Sequence, residues 1–462
     1  MNRKVYSACS CIALAAAAAC ASSEDEPGVL DPGPDAGIPL PDAGEASVPN
    51  DGDAGREDAA VDNEPSCSPM GWCATQLPDH DLTLRDIWPF PGSALAIATS
   101  PTIGTKVLEW TDAAGAWRYI DDNSQNEGGR GRFVGKLWAP SADVLYFTVA
   151  PRTVFRGKRS GNPATWTWTH WDLEDRTPVY PEPMGSPDHF KGFPRTGGGT
   201  LVHHAALGVF GTSAEDVYAW FANTVYKLSS DDAGLSTWSV DYVADDLDRA
   251  NEQLIFVAAT GTGPDDMWFA GGRTGGPSEQ HGCAVLVHKT STGYRRVADA
   301  LAVPAPPQSG PIIFPPPPPH IYCQPRTDTL LLEGPYGVAS WLTDIGADSA
   351  SSVVALHGGK VLHRVSVNGD VYAKSTLPVP TAVTASTFLF SLWTTPDEPL
   401  WLGGTNIVVR GEGIWNDAGA LQLSSIALNG APLLTEIHRV RGSSSSDRWA
   451  VGARYALHKT TP

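Results

Sequence analysis

The sequence predicts an all-β chain: a seven-bladed β-propeller preceded by a signal peptide and a disordered acidic linker. Three observations predict it. One strand-like unit recurs seven times, a small-residue turn feeding an aromatic strand precedes most copies, and the composition is wrong for helices. The chain has 462 residues, 42% hydrophobic and 18% charged, with 47 Gly, 39 Pro and 16 Trp but only 4 Met. Few charges with so much Gly, Pro and Trp disfavour helical bundles and coiled coils. At roughly 100–200 residues per domain, the length admits several small domains or one large repeat domain. Internal repeats decide for the latter.

The order begins with an export signal. Arg3 and Lys4 give a positive start, and the fifteen residues from Val5 to Ala19 carry no charge and end in Ala17-Ala18-Ala19-Cys20. That run is shorter than the about 20 residues a membrane-spanning helix needs, and the layout is that of a secretory signal. A Cys directly after small residues resembles a bacterial lipobox, although Ala17 stands where Leu is commoner. The alternative is an ordinary signal peptide cut near Ala19. The resemblance implies a lipoprotein signal over 1–19, acylation of Cys20 and attachment to a membrane through that lipid. With Ala21 in place of the Asp associated with inner-membrane retention, it also implies the outer membrane or cell surface.

Residues 20–66 read as a tether. From 21 to 66 there are 13 acidic residues against Arg56 alone, and Asp-Ala-Gly recurs at Asp35, Asp42 and Asp53. So few large aliphatics cannot bury enough area to offset the entropy of ordering, which predicts disorder. The tether carries −12 of the net −19, leaving −9 on residues 67–462. A general phosphate-binding surface for nucleic acid is excluded on this balance.

Residues 67–462 carry the repeats. The first unit has an apolar centre, at Val107, Val154, Val225, Val285, Val361, Val408 and Ala456. The second is a turn of small residues and Asp followed by an aromatic, clearest in Gly211–Tyr218, Gly261–Trp268 and Gly442–Trp449, and most degraded in Gly334–Trp341. Asp, Ser and Gly tolerate turn dihedrals, and the aromatics fill the space between stacked sheets. A third unit, a polar turn then an aromatic, follows several copies at Asp112–Trp117, Asp232–Trp238 and Asn368–Tyr372 and signals hairpins. Three or four short strands per unit, seven times over, make a propeller. The last copy stops four residues after His458. An open edge invites aggregation, so the segment around Ala74–Leu84 is expected to complete a blade shared by both ends. Long gaps mark insertions near 157–205, 240–255, 270–282 and 299–328.

These units are similar to the tryptophan-rich propeller repeats of exported bacterial proteins, with the loose form Gly-Ser-Ser-x-x-Asp-Val-Trp-Ala-Val-Gly, Gly-x-Ile-x-His and Gly-x-x-Trp, over about residues 84–459. Ser230-Asp-Asp232-Ala-Gly234-Leu-Ser-Thr-Trp238 resembles, with one extra residue, the Asp box of sialidase-type propellers. That implies a structural hairpin on a rim remote from catalysis. The sialidase catalytic residues have no match, since Phe193-Pro-Arg195 is not the arginine-bearing segment of that family.

Four cysteines remain once Cys9, Cys11 and Cys20 are set aside: Cys67, Cys73, Cys283 and Cys323. An even number in an exported chain suggests two disulfides. Of three connectivities, neighbour pairing (Cys67–Cys73, Cys283–Cys323) is the simplest. Neither pair has zinc-ligand spacing.

No residue is assigned a catalytic, cofactor-binding or metal-binding role. His203 and His204 are adjacent, so on a strand they point to opposite faces. The acid pairs Asp121-Asp122, Asp231-Asp232, Asp245-Asp246 and Asp265-Asp266 fall in predicted turns, and Phe314–Pro319 reads as a stiff polyproline insertion. His288, His363 and His458 recur at one repeat position, which predicts a packing or turn role in each blade. No nucleophile elbow, phosphate loop or His-Glu-x-x-His is present. The expected function is non-catalytic binding of a protein or glycan at the cell envelope through blade-edge loops, above all 157–205 and 299–328. The alternative is a glycan-active hydrolase or lyase. A buried, shifted carboxylate or His at the axial mouth, flanked by Arg or Tyr from several blades, is the feature that favours the enzyme.

Overall fold

The computed structural model describes residues 66–461 apart from 132, 177–205, 233, 247–251, 275–281, 305–320, 336–339, 385–387, 397 and 417–418. Seven antiparallel four-stranded sheets follow one another: 83–119, 134–172, 207–243, 253–298, 342–378, 389–425, and a last one of 437–459 plus Cys73–Thr75. The first strand of each sheet packs against the first strands of the sheets before and after it, and the seventh returns to the first. The first strands therefore line a central axis, and the sheets are the seven blades of a propeller.

Both ends of the chain meet in blade 7. Cys73, Ala74 and Thr75 pair antiparallel with His458, Leu457 and Ala456, so the fourth strand of that blade comes from the N-terminal side. It is only the beginning of the segment expected to do this, because Thr83–Phe90 is already the inner strand of blade 1. Cys67 is bonded to Cys73 beside this strand. Trp72, 1% exposed, packs edge-on to Trp401 of blade 6, which anchors the closing strand from below.

The turns of the second repeat unit join first to second strands. In each, a hydroxyl at the end of the first strand donates to the turn Asp: Thr212 to Asp216 at 2.7 Å, Thr262 to Asp266 at 2.5 Å, and Ser443 to Asp447. The aromatic that follows on the second strand lies opposite a cation or His on the third strand, as in Tyr146–Arg156, Tyr218–Lys227, Trp268–His288, Trp401–Arg410 and Trp449–His458. His288 stacks on Trp268 with ring centroids 3.7 Å apart, while its Nε2 lies 2.9 Å from Asp266. His458 repeats this on Trp449 and Asp447. The histidine packing role predicted from sequence is seen in these two.

Three expectations need correction. His363 pairs with Ala355, one residue out of register with His288 and His458; Arg364 holds the equivalent place in blade 5. For the same reason the centres in blades 4 and 5 are Leu286 and Leu362, one residue beyond Val285 and Val361. These third strands bury consecutive apolar residues, so alternation alone cannot say which of two neighbours faces which blade. The degraded turn at Gly334–Trp341 precedes blade 5, whose real turn lies between Ser349 and Ser352 and is followed by Val354 instead of an aromatic.

The connections divide between two faces. Antiparallel order puts the links from fourth strand to next first strand, and from second to third, on one face. On that face the chain leaves and re-enters the blades at 173 and 206, 244 and 252, 274 and 282, and 299 and 341. First-to-second and third-to-fourth turns occupy the other face and are short, such as 91–92, 264–265 and 350–351. The insertions are narrower than the sequence suggested, because 157–172, 253–255 and 270–274 continue blade strands. Cys283–Cys323 ties the insertion after blade 4 to the third strand of that blade, and 300–304 pairs with 321–325 in a small hairpin beside it.

Candidate functional site

Six of the seven first strands turn a residue toward the axis at a local break in pairing; blade 3, where Gly208 holds the place, pairs without one. The same four-residue pattern supplies it in several blades: Leu84-Arg-Asp86-Ile, Val134-Gly-Lys136-Leu, Leu342-Thr-Asp344-Ile, Leu389-Phe-Ser391-Leu and Ile437-His-Arg439-Val. A β-bulge re-aims the side chain that follows it. The axial tier thus formed reads Asp86, Lys136, Gly208, Ala258, Asp344, Ser391, Arg439 around the ring.

Its polar members stitch neighbouring blades together. Leu137 N–H donates to Asp86 at 3.0 Å, Leu392 N–H to Asp344 at 2.7 Å, and Val440 N–H to Ser391 at 2.9 Å. His438 Nδ1 lies 3.0 Å from Leu84 O, across the junction of blades 7 and 1. Arg439 donates to Asp344 and stands 3.3 Å from Asp86, joining carboxylates of blades 5 and 1. These side chains are at most 4% exposed. Burial pushes the Asp344 carboxyl up to about 7 and brings the Arg439 guanidinium down to about 10, because both lose water on leaving solvent.

Two residues further along the first strands comes a second tier: Trp88, Trp138, Phe210, Thr260, Gly346, Trp393, Arg441. Trp88, Trp138 and Phe210 meet pairwise at 6.3–6.4 Å between centroids. Arg441 lies over the Trp88 ring at 4.3 Å, with its Nε 3.6 Å from Asp86. Gly208 has no side chain because Trp220 takes its place: a Cβ there would stand 2.1 Å from the indole Cζ2. The two tiers enclose a cavity of about 290 Å³, walled by Lys136, Asp344, Arg439, Arg441, Trp88, Phe210, Trp220 and Trp393 and bounded by the turn residues Thr394–Pro396. The cavity therefore sits on the short-turn side, opposite the long connections.

The axial carboxylate with flanking arginines is thus present, and Asp344 is its buried, shifted member. Its bonds to Leu392 N–H and Arg439 make it a strut between blades 5, 6 and 7. The sequence reading did not single out Asp86, Asp344 or Arg439. The signal that could have found them is the repeated Leu-x-Asp-Ile of blades 1 and 5.

The residues that were singled out lie elsewhere. Asp121 binds Lys106, Val107 N–H and Gln125. Asp246 joins Arg296 and Arg326 in a cluster beside blade 4, and Asp231 accepts from Leu235 N–H in the hairpin that closes with Ser230 against Ser236. His170 stacks on Phe155 of its own blade. Cys20, Phe193–Arg195, His203, His204 and Phe314–Pro319 lie outside the described residues. Among the described residues no group of three or more His, Cys, Asp or Glu is placed to hold a metal ion.

No protein-family model and no curated protein matches the chain. Solved structures do. YCF48 from Cyanidioschyzon merolae is 13% identical with a TM-score of 0.45, over 85% of this chain and 99% of that one. The extracellular domain of the putative one-component system BT4673 from B. thetaiotaomicron is 11% identical with a TM-score of 0.45, over 84% of this chain and 40% of that one. The WD40 β-propeller domain of Doa1 is 11% identical with a TM-score of 0.43, over 84% and 96%. At these identities the likeness is one of fold.

Proposed function

We propose that the protein is a non-catalytic binding propeller of the bacterial envelope, tethered through a lipid on Cys20, that takes a protein or glycan ligand on the face bearing its long connections. The observation that carries the reading is the asymmetry of the faces. The chain leaves and re-enters the blades at 299 and 341, 173 and 206, and 244 and 252 on one side, while the links of the other side are short turns. Binding residues concentrate on loops held by a rigid scaffold. The exposed Ile103, Tyr322, Phe388 and Leu434, the last 76% exposed, belong to links of that same face.

A second reading, a glycan-active enzyme, is favoured by Asp344 beside Arg439 and Arg441. One experiment separates the two: the propeller of residues 67–462 is put to a glycan array and to an envelope-protein pull-down, with product analysis on every glycan retained. Saturable binding without turnover, lost when 305–320 is replaced by a Gly-Ser link, is the expected result. Release of product from any glycan sinks the binding reading.

A further inference from the structure

We propose that the axial cavity is a binding site for a small organic anion, its acidic head on Arg441 and its body against Trp88, Phe210 and Trp393. The site lies on the face opposite the long connections, so it stands apart from the function proposed above.

Charge comes first. The deeper tier is balanced, Asp86 and Asp344 against Lys136 and Arg439, whereas the second tier adds Arg441 alone. Among the described residues the first strands bring no other charge to the second tier. Arg441 is 17% exposed, and among the described residues its one ion pair within 4 Å is with Asp86, at 3.6 Å. Among the described residues no hydrogen bond uses its donors, whose planar fork suits a carboxylate. The Trp88 ring holds one side of the guanidinium, so the group is oriented before a ligand arrives.

The second observation concerns Trp220. Its indole replaces the side chain missing at Gly208 and forms part of the cavity wall, and its Nε1–H is buried without any partner in a residue only 1% exposed. Buried donors are almost always satisfied; Trp166, Trp238, Trp401 and Trp449 leave the same atom unpartnered elsewhere, and Trp220 is the one of the five that lines this cavity, where its acceptor would have to come from a ligand. Trp88, Phe210 and Trp393 give the wall its aromatic part, beside Thr260, Thr394 and the mutually compensating Lys136, Asp344 and Arg439 of the deeper tier. The volume, about 290 Å³, lies at the small end of the roughly 300–1,000 Å³ typical of ligand pockets and suits one six-membered ring with its substituents. A flat-bodied anion uses all three features at once: the guanidinium fork, the spare N–H and the aromatic wall.

The test uses matched pairs of probes, glucuronate with glucose and benzoate with benzyl alcohol, together with inorganic phosphate. Tryptophan fluorescence and calorimetry on the purified protein at low salt give the affinities. At least one organic anion is expected to bind saturably, about tenfold or more tighter than its neutral partner. Arg441→Gln should weaken it by a similar factor and Arg441→Lys by less. Arg364→Gln, on the outer part of blade 5, should change nothing, and melting curves check that each variant is folded. The proposal fails if no probe anion binds, if neutral partners bind equally well, if Arg441→Gln is silent, or if phosphate alone matches the organic anions.

Discussion

Arg273→Met is expected to destabilise the propeller by about 3–5 kcal/mol, because it strands buried carboxylates that have no water to turn to. Arg273 ends the second strand of blade 4 and its side chain is 1% exposed. Its guanidinium donates twice to Asp299, at 2.8 Å each, and once to Glu252 at 3.1 Å, and both acids are 1% exposed. Arg296 shares Asp299 and Asp246, and Arg326 lies 3.3 Å from Asp246. Two insertions of the long-connection face, 244–252 and 299–341, thus converge on one arginine cluster. Chemical denaturation gives the loss of stability, and limited proteolysis after Arg326 should accelerate with it. A change below about 1 kcal/mol, the scale of surface ion pairs, would show the cluster to be ornamental.

The second large effect is acid sensitivity from blade 5. His357 Nδ1 lies 3.0 Å from His363 Nε2, and both residues are fully buried. His357 Nε2 faces Ser340 O, while His363 faces Glu333 O and Thr376 Oγ1, so no carboxylate is at hand to stabilise a charged ring. Burial brings His357 down to about 4 and, with the neighbouring imidazole, His363 down to about 3. The unfolded chain titrates near 6.5 and so takes up these protons first. Stability is therefore full above pH 6.5 and falls as pH drops toward 4, by on the order of 3 kcal/mol per imidazole. Asp344 acts oppositely: its carboxyl, raised to about 7 in the fold, gains stability as pH falls from 7 toward 4. Unfolding free energy measured between pH 5 and 6 separates the two. The slope against pH should drop by about one proton in His363→Gln and rise by about one proton in Asp344→Asn. Identical slopes in the two variants and the parent would contradict this assignment.

How far the sequence could be read follows from how each feature is encoded. The blades announce themselves through local chemistry: turns of Asp and small residues, then an aromatic, then a Val-centred strand. Blade 5 hid its turn because Val354 replaces the aromatic, and the register of its third strand blurred because Val361 and Leu362 are both apolar and both buried. The axial site was invisible for a different reason. Asp86, Asp344 and Arg439 stand in strands more than ninety residues apart at the least, and only ring closure brings them together. Trp220 likewise reads as one aromatic among many until Gly208 is seen to vacate its place. Propeller blades need only pack against their neighbours, so the pattern that specifies a blade says little about what the seven inner edges enclose.

All of these placements depend on a ring closed by a strand borrowed from the N-terminal side. Hydrogen exchange resolved to single amides tests this most directly. Cys73–Thr75 should exchange slowly and open together with Tyr455–Lys459, its partner strand. Amides at 73–75 that exchange as fast as free chain, while 455–459 stay protected, would mean an open seventh blade and would remove the enclosed axis on which the cavity depends.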